Sequence, residues 1–377
     1  MSFSSLGLPK YLLDALEHQK FDKPYPIQEK AIPAILKKKD VLGTAKTGSG
    51  KTASFVLPIL ANLKDVPKSK DRHIPVLVLV PTRELAVQVH EVFHTFSQAL
   101  PVPCKTMAVY GGTSVNIQMK RMSNVNVLIA TPGRLLDLIS SNAVHLEDVQ
   151  TFVLDEADKM LNLGFKEELD QIIALMPKKR QNLLFSATLS PNIENIKRLM
   201  LNDPEIIHIA SEEDSIELIN QTAYAVSTEK KGPLLRHLIE KKNMQQVLIF
   251  TSSVYQADAV TTKLNRNNIE AKAMHGKKSQ FARIEALDNF KAGKLRVLVA
   301  TDILSRGIDI KNLPFVINYD LPRSPKDYIH RIGRTGRAEN PGEAIAFITP
   351  EDKHHFKVIQ KKMKRWVDFV DASKLEV

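Results

Sequence analysis

The chain has 377 residues, room for about two domains with full cores at the usual ~150 residues each, and 43% hydrophobic with 25% charged residues excludes disorder as the default. A net charge of +11 and a pI near 9.4 favour a polyanionic partner, nucleic acid before membrane. The single cysteine, Cys104, excludes an internal disulfide and a cysteine-built zinc site; the start lacks the regions of a signal peptide, and no run approaches the ~18 apolar residues of a membrane span, so a soluble, cytoplasmic protein is expected.

In chain order, an amphipathic segment at 11–16 is followed by a short apolar strand at Val41 and Leu42. Between that strand and a helix start at Ala53-Ser54-Phe55-Val56-Leu57 lies Ala45-Lys46-Thr47-Gly48-Ser49-Gly50-Lys51-Thr52. This is where a phosphate-binding loop belongs. Thr47, Gly48, Ser49 and Gly50 can turn backbone N–H groups toward phosphate oxygens, Lys51 can reach the terminal phosphates, and Thr52 can ligate Mg²⁺. The general pattern wants glycine where Ala45 stands, and a glycine-rich turn beside a solvated lysine is the competing reading.

Apolar strands are predicted at 76–80, 106–109, 125–130, 151–154 and 182–185, separated by helical patterns, which signals a parallel sheet covered on both faces. After the polar stretch Ser211-Glu212-Glu213-Asp214-Ser215 a second series follows at 247–250, 271–274, 297–300, 315–317 and 344–348. The expected organisation is two α/β domains, 1–208 and 220–377, joined by a linker at 209–219. The second domain ends in a basic stretch, Lys361-Lys362-Met363-Lys364-Arg365-Trp366, which either docks Trp366 and solvates its lysines or contacts nucleic acid.

A phosphate loop needs a carboxylate at the end of a neighbouring strand to hold the metal, and Asp155-Glu156 after strand 151–154 supplies it. Asp155 would orient Mg²⁺, and the longer Glu156 would position the attacking water as base. An acidic pair after a strand can also be an ordinary helix start; the phosphate loop upstream is what tips the balance.

Asp155-Glu156-Ala157-Asp158, with Ser186-Ala187-Thr188 downstream, resembles the signature of the DEAD-box RNA helicases of superfamily 2, and the likeness extends from Phe3 to about Ile348. It implies two tandem RecA-like domains, each a mostly parallel sheet with helices on both faces, an RNA-stimulated ATPase, ATP and Mg²⁺ as cofactors, and RNA as partner. Phe21, Pro24, Pro26, Ile27 and Gln28 resemble the family's adenine-reading motif, in which Gln28 would hydrogen-bond the adenine edge and Phe21 would pack on its face. Lys20 and Tyr25 depart from that motif, where the family often has Gly and Thr. Ala45 becomes a family mark.

In the first domain Pro81-Thr82-Arg83, Gly111-Gly112 and Thr131-Pro132-Gly133-Arg134 match the family's RNA-facing motifs. Each follows a predicted strand, so Arg83, Arg134, hydroxyls and loop N–H groups could grip successive phosphates nearly without regard to base. In the second, Thr251, His275, Gly276, Arg283, Thr301, Asp302 and Arg306 are expected on RNA, and Gly307 and Asp309 toward the nucleotide. His330-Arg331-Ile332-Gly333-Arg334-Thr335-Gly336-Arg337 presents three arginines at spacing three; by resemblance Arg334 and Arg337 are arginine fingers for the γ-phosphate. Asp158, Ser186, Thr188 and His330 are expected to couple the two activities.

ATP and single-stranded RNA would jointly close the two domains and pry apart short duplexes or remodel RNA–protein complexes. The opening residues resemble the bacterial RhlE-type helicases, which implies work on ribosomal or other structured RNA, preribosomal particles included; no required protein partner is evident. The rival readings are an ATP-dependent RNA clamp with little unwinding, a DNA translocase and, more remotely, a metabolic kinase.

Overall fold

The computed structural model describes residues 2–45, 48–63, 71–188, 191–209, 219–301, 313–336 and 342–374. The chain divides into two compact units, Met1–Ser211 and Glu212–Val377, each taken here by itself. Most of the expected linker, 210–218, lies outside the described residues.

Among the described residues the first unit builds a seven-stranded sheet from β1 (Val41–Thr44), β2 (Val76–Leu79), β3 (Thr106–Val109), β4 (Val127–Ala130), β5 (Thr151–Leu154), β6 (Gln181–Ser186) and β7 (Glu205–His208). Its order is β3-β4-β2-β5-β6-β1-β7, every pairing parallel. The second unit has β8 (Asn220–Ala225), β9 (Val247–Thr251), β10 (Ala271–Met274), β11 (Val297–Thr301), β12 (Phe315–Asn318), β13 (Glu343–Ile348) and β14 (Phe369–Asp371), ordered β10-β11-β9-β12-β13-β8-β14 and again parallel throughout. The two orders are the same order shifted by seven, so each strand of one sheet has a counterpart in the other. This is the doubly covered parallel architecture that the apolar runs implied, and it is that of tandem RecA-like domains.

Both faces are buried because successive strand residues point to opposite sides. Val76, Val78 and Val80 join one core of the first unit, Leu77 and Leu79 the other. In the second unit Val247 and Ile249 pack into one core while Leu248 and Phe250 pack into another. The strands that sequence patterning missed are β7, β8 and β14. They lie at or next to a sheet edge, β7 and β14 are mostly exposed, and β8 reads Asn-Gln-Thr at its start, so none shows an apolar run.

Two contacts fix the region around β1. Phe185 on neighbouring β6 lies so close that a Cβ on Gly43 would sit 2.5 Å from its ring, so only glycine fits there. Buried Asp40, just before β1, accepts from Asn182 N–H (2.7 Å), Asn182 Nδ2 (3.3 Å) and Asn202 N–H (2.8 Å), tying β1 to the start of β6 and to the turn before β7. Cys104 packs half-buried against the first core, where burial pushes its thiol up to about 11 and keeps it protonated. The basic segment near the end does not dock its aromatic: the helix Lys353–Met363 stops at Lys364, whose φ is +55°, and Trp366 lies beyond it, 70% exposed.

Candidate active site

Parallel strands put their carboxyl ends on one edge of a sheet, so the loops after them share that edge. Along the first sheet the edge falls into two halves. β5, β6 and β1 are adjacent and lead into Asp155-Glu156, Ala187-Thr188 and the phosphate loop; β3, β4 and β2 are adjacent and lead into Gly111-Gly112, Thr131 to Arg134 and Pro81 to Arg83.

In the first half, Gly48 and Gly50 turn the loop with φ of +83° and +86°, and the helix Lys51–Leu63 begins at once. A Cβ on Gly50 would stand 2.6 Å from Gln28 Nε2 and 2.8 Å from the Tyr25 ring. Gln28 is fully buried: its Oε1 accepts from Tyr25 N–H at 2.9 Å and its Nε2 donates to Gly50 C=O at 3.1 Å. It therefore braces the glycine loop against the chain at Tyr25, with two of its four hydrogen-bonding positions in use. Phe21 sits edge-on between Phe96 and Phe3, with centroids 5.7 and 6.5 Å away.

Lys51 is 7% exposed and donates to Ala45 C=O at 2.7 Å, folding back over its own loop. Ser49 Oγ is buried without a hydrogen-bond partner, the mark of a site shaped for a further acceptor or donor. Thr52 is half-buried in the helix's first turn, while Lys46 and Thr47 lie outside the described residues.

Asp155 is 2% exposed, and burial pushes its carboxyl up to about 6; Lys51 opposes the shift and Glu156 adds to it. Its Oδ1 accepts from Glu156 N–H at 2.8 Å. A buried carboxylate whose charge is penalised by burial gains from a cation beside it, and with the hydroxyl of Thr52 it offers the hard oxygen donors that Mg²⁺ takes. Glu156 occupies the left-handed region (φ +50°, ψ +47°), costly for a side chain of this kind and typical of functional turns. It is 7% exposed, and its Oε2 lies 3.4 Å from Lys159 Nζ, at ion-pair distance but outside hydrogen-bond alignment.

The expected couplers within this unit do meet. Thr188 Oγ1 donates to Asp158 Oδ2 at 2.8 Å, and Ser186 Oγ donates to Thr188 C=O at 2.8 Å and accepts from Thr188 N–H at 3.2 Å. The loop after β6 is thereby latched to the loop after β5.

In the second half, Thr82 caps the helix Arg83–Ser97 by accepting from Leu85 N–H, and Pro81 is buried behind it. The Arg83 guanidinium lies on the glycine pair: a Cβ on Gly112 (φ +84°) would fall 2.1 Å from Arg83 Nη1, and one on Gly111 would fall 3.3 Å from Nη2. Thr131 and Pro132 are buried at the start of the helix Pro132–Ser140, and exposed Gly133 follows with nothing within 4 Å of its Cβ position.

Arg134 is more enclosed than expected. It is 7% exposed, donating to Gln118 Oε1 (2.9 Å), Thr113 C=O (3.0 Å) and Asp137 Oδ2 (3.3 Å), so its guanidinium holds the segment after the glycine pair in place. Sequence reading could not separate the two arginines, since each follows a strand.

The second sheet repeats the arrangement: β10, β11 and β9 are adjacent and lead into His275-Gly276, the segment after Thr301 and Thr251-Ser252. Here too several expected side chains are enclosed. Thr251, His275, Arg283 and Thr301 are 0%, 1%, 5% and 7% exposed; His275 Nε2 lies 3.0 Å from Asp258, and Arg283 bonds Gln280. Accessible groups of this edge include Gly276, Ser252 and two aromatics that sequence reading passed over, Tyr255 (82% exposed) and Phe281 (78%), each early in the helix that follows its strand.

Arg331 is likewise no member of a presented trio. It is 1% exposed, its guanidinium 5.0 Å over Phe250 and donating to Asn318 Oδ1 and Asp320 C=O. Arg334 is 7% exposed just beyond the helix Pro325–Ile332, which carries half-buried His330. Asp302, Arg306, Gly307, Asp309 and Arg337 lie outside the described residues.

Where the first sheet has its phosphate loop, the second has Val226 to Lys230 without a glycine, and Lys231 opens the next helix as Lys51 does. Lys231 Nζ lies 3.0 Å from Asp320 Oδ1, after β12, the counterpart of the strand before Asp155.

Residues 25–196 match the family profile described as DEAD/DEAH box helicase, and 230–339 match that of the helicase conserved C-terminal domain. The DEAD-box ATP-dependent RNA helicase CshA of Geobacillus kaustophilus is 38% identical over 369 residues, 97% of this chain and 78% of that protein. The chain belongs to the DEAD-box ATP-dependent RNA helicases. CshA of Streptococcus pneumoniae is 40% identical, with 97% and 69% covered. Among solved structures, S. cerevisiae Dbp5 bound to RNA and ADP BeF3 is similar with a TM-score of 0.82 at 30% identity, covering 98% of this chain and 95% of that one. Membership of this family makes the chain an ATP-consuming helicase enzyme. These relatives carry the CshA name, so the finer expectation of a RhlE-type helicase finds no support among them. No helix among the described residues is long and apolar enough to cross a membrane.

Proposed function

We propose that this helicase couples ATP hydrolysis to closure of its two units, 1–208 and 220–377, on single-stranded RNA, so that short duplexes are opened locally or RNA–protein complexes are remodelled. The observation that carries the reading is the split edge of the first sheet: the residues assigned to nucleotide follow β5, β6 and β1, and those assigned to RNA follow β3, β4 and β2. One rigid sheet thus holds both ligands side by side, and binding of either biases the same element.

The phosphates of ATP would lie on Thr47 to Gly50 and Lys51. Thr52 and Asp155 would hold Mg²⁺, which when bound neutralises charge on the β- and γ-phosphates. Glu156 would accept a proton from the attacking water, and Arg334 and Arg337, with Gly307 and Asp309, would complete the nucleotide site from the second unit. The braced amide of Gln28 keeps free positions for adenine.

RNA would be held by Arg83 and by backbone N–H groups at Gly112, Gly133 and Gly276, with Thr82, Thr131, Thr301, Asp302 and Arg306 along the same edges. Tyr255 and Phe281 would stack on bases. Contacts of this kind ignore base identity, and the net charge of +11 supplies the non-specific attraction. The likeness to Dbp5 bound to RNA and ADP BeF3 supports both ligands on this fold. We infer further a cytoplasmic enzyme acting on structured RNA, ribosomal RNA or preribosomal particles foremost.

The test is ATPase activity with RNA or DNA added, together with strand displacement on a short RNA duplex. RNA-selective stimulation with displacement is expected. Stimulation without displacement would leave an ATP-dependent clamp, and equal stimulation by DNA would overturn the RNA reading. Crosslinking in cells followed by sequencing tests the pathway: recovered RNA depleted in ribosomal sequence would remove the ribosomal assignment.

A further inference from the structure

The first sheet has an opposite edge, where its strands begin, and no residue there takes part in the helicase reading. β2 and β5 are neighbours, and the segments leading into them run side by side: His73 and His145 form a parallel bridge, with His145 N–H donating to Arg72 C=O at 2.9 Å and Ile74 N–H donating to His145 C=O at 3.3 Å. The two imidazoles stack with centroids 4.7 Å apart and planes 25° from parallel. Glu147 joins them, and one donor atom from each of His73, His145 and Glu147 lies within 4.8 Å of the other two. Beside the trio, Asp148 Oδ2 stands 3.1 Å from His73 Nδ1.

We propose that His73, His145 and Glu147 bind a transition-metal dication, zinc being the natural occupant. Two imidazoles and one carboxylate suit zinc and its neighbours and suit Mg²⁺ or Ca²⁺ poorly. Four-coordinate zinc at bond lengths of about 2.0 to 2.2 Å needs donors roughly 3.4 Å apart, a contraction that partly exposed side chains on a rigid backbone bridge can make by rotation. A carboxylate close to a ring nitrogen of a zinc histidine is a common outer partner, and Asp148, 3.1 Å from His73 Nδ1, is near enough to take that place when the ring turns.

A metal would use all three groups and neutralise the carboxylate. The ion would clip the segment before β2 to the segment before β5, holding the first sheet from the edge opposite its ligands. The strands between are four residues long, about 13 Å at ~3.3 Å per residue, so the clip acts on the frame of the sheet and not on the reacting atoms.

The experiment is calorimetric titration of the full, chelator-stripped chain with zinc chloride, paired with the visible spectrum of the Co²⁺-loaded protein. One site per chain and the intense absorption of tetrahedral Co²⁺ are expected, both lost in His145→Gln, with affinity down at least about tenfold. Glu147→Gln, at an exposed position that folding does not need, should weaken zinc by about tenfold and leave the melting temperature of the metal-free protein unchanged. Magnesium-dependent, RNA-stimulated ATPase should persist in both variants. Failure of the wild-type chain to bind zinc, or equal zinc affinity in wild type and Glu147→Gln, overturns the site.

Discussion

Lys231 and Asp320 hold, in the second sheet, the places that Lys51 and Asp155 hold in the first, and there they close on each other. Lys231 Nζ lies 3.0 Å from Asp320 Oδ1 and donates to Tyr319 C=O at 2.8 Å, while Asp320 Oδ2 accepts from the N–H and Oγ of Ser252. In the first sheet Lys51 bonds Ala45 C=O instead, and Asp155 stays buried with a raised carboxyl. The same fold thus carries one position beside a glycine loop without such a pair and one filled by its own ion pair.

Lys231→Met should therefore destabilise the second unit without touching nucleotide binding. The pair's side chains are 7% and 19% exposed, and removing one partner strands a mostly buried carboxylate, a loss of about 3 kcal/mol. Urea unfolding measures it, and Lys231→Met/Asp320→Asn should recover part of the loss. Lys51→Met should do the reverse, abolishing ATP binding at near wild-type stability. Loss of ATP binding in folded Lys231→Met would contradict the division of labour.

Glu156→Gln removes a base while keeping the side chain's size at a strained position, so the turn should survive. RNA-stimulated turnover is expected to fall by roughly 10² to 10⁴, the usual weight of a positioned general base, with equilibrium binding of ATP and RNA close to wild type. Single-turnover kinetics separates the two effects; a near-normal hydrolysis rate would take the role from Glu156.

Gly112→Ala probes the other half of the edge. The left-handed φ of +84° strains any side chain, and a new Cβ would fall 2.1 Å from Arg83 Nη1, forcing that guanidinium off the glycine pair. The RNA concentration for half-maximal ATPase stimulation should rise about tenfold, with ATP affinity unchanged. Arg83→Ala should give a similar rise, and its salt dependence should lose the slope of about one phosphate contact. Unchanged RNA stimulation in Gly112→Ala would remove this pair from the RNA face.

How far the sequence discloses such a site depends on what carries the information. Asp155, Lys51 and the glycines of the phosphate loop were legible because backbone conformation and strand ends constrain them locally, and the alternating cores of β2 and β9 follow from apolar runs. Arg134 and Arg83 were not separable, because whether an arginine faces solvent or a carbonyl 21 residues away in the chain is decided by packing. Arg331 was misread for the same reason: spacing three looks like a presented row, yet one member turns inward onto Phe250. Tyr255 and Phe281 went unnoticed because lone aromatics read as core until exposure is known. His73 and His145 meet only through the pairing of β2 with β5.

Phe281→Ala should weaken RNA binding through loss of stacking, about 1 kcal/mol or more and thus at least roughly fivefold, with stability unchanged because the side chain is 78% exposed. The effect should be larger on single-stranded RNA than on a blunt duplex. Fluorescence anisotropy with both ligands checks it, and equal affinities for wild type and variant would leave the aromatic without a ligand role.

Thr188→Val keeps the size of the side chain and deletes the 2.8 Å donation from Thr188 Oγ1 to Asp158 Oδ2. Neither residue is placed on the reacting phosphate, so ATP hydrolysis should stay within a few-fold of wild type. The loop after β6 would lose its latch to the loop after β5, at a stability cost of about 1 kcal/mol. Strand displacement is expected to drop at least about tenfold, because the state of the nucleotide would no longer fix the loop that carries the signal onward. Measured on the same preparation, a parallel fall of ATPase and displacement would show that Thr188 serves hydrolysis itself, while a fall of displacement alone identifies the latch as the coupling element.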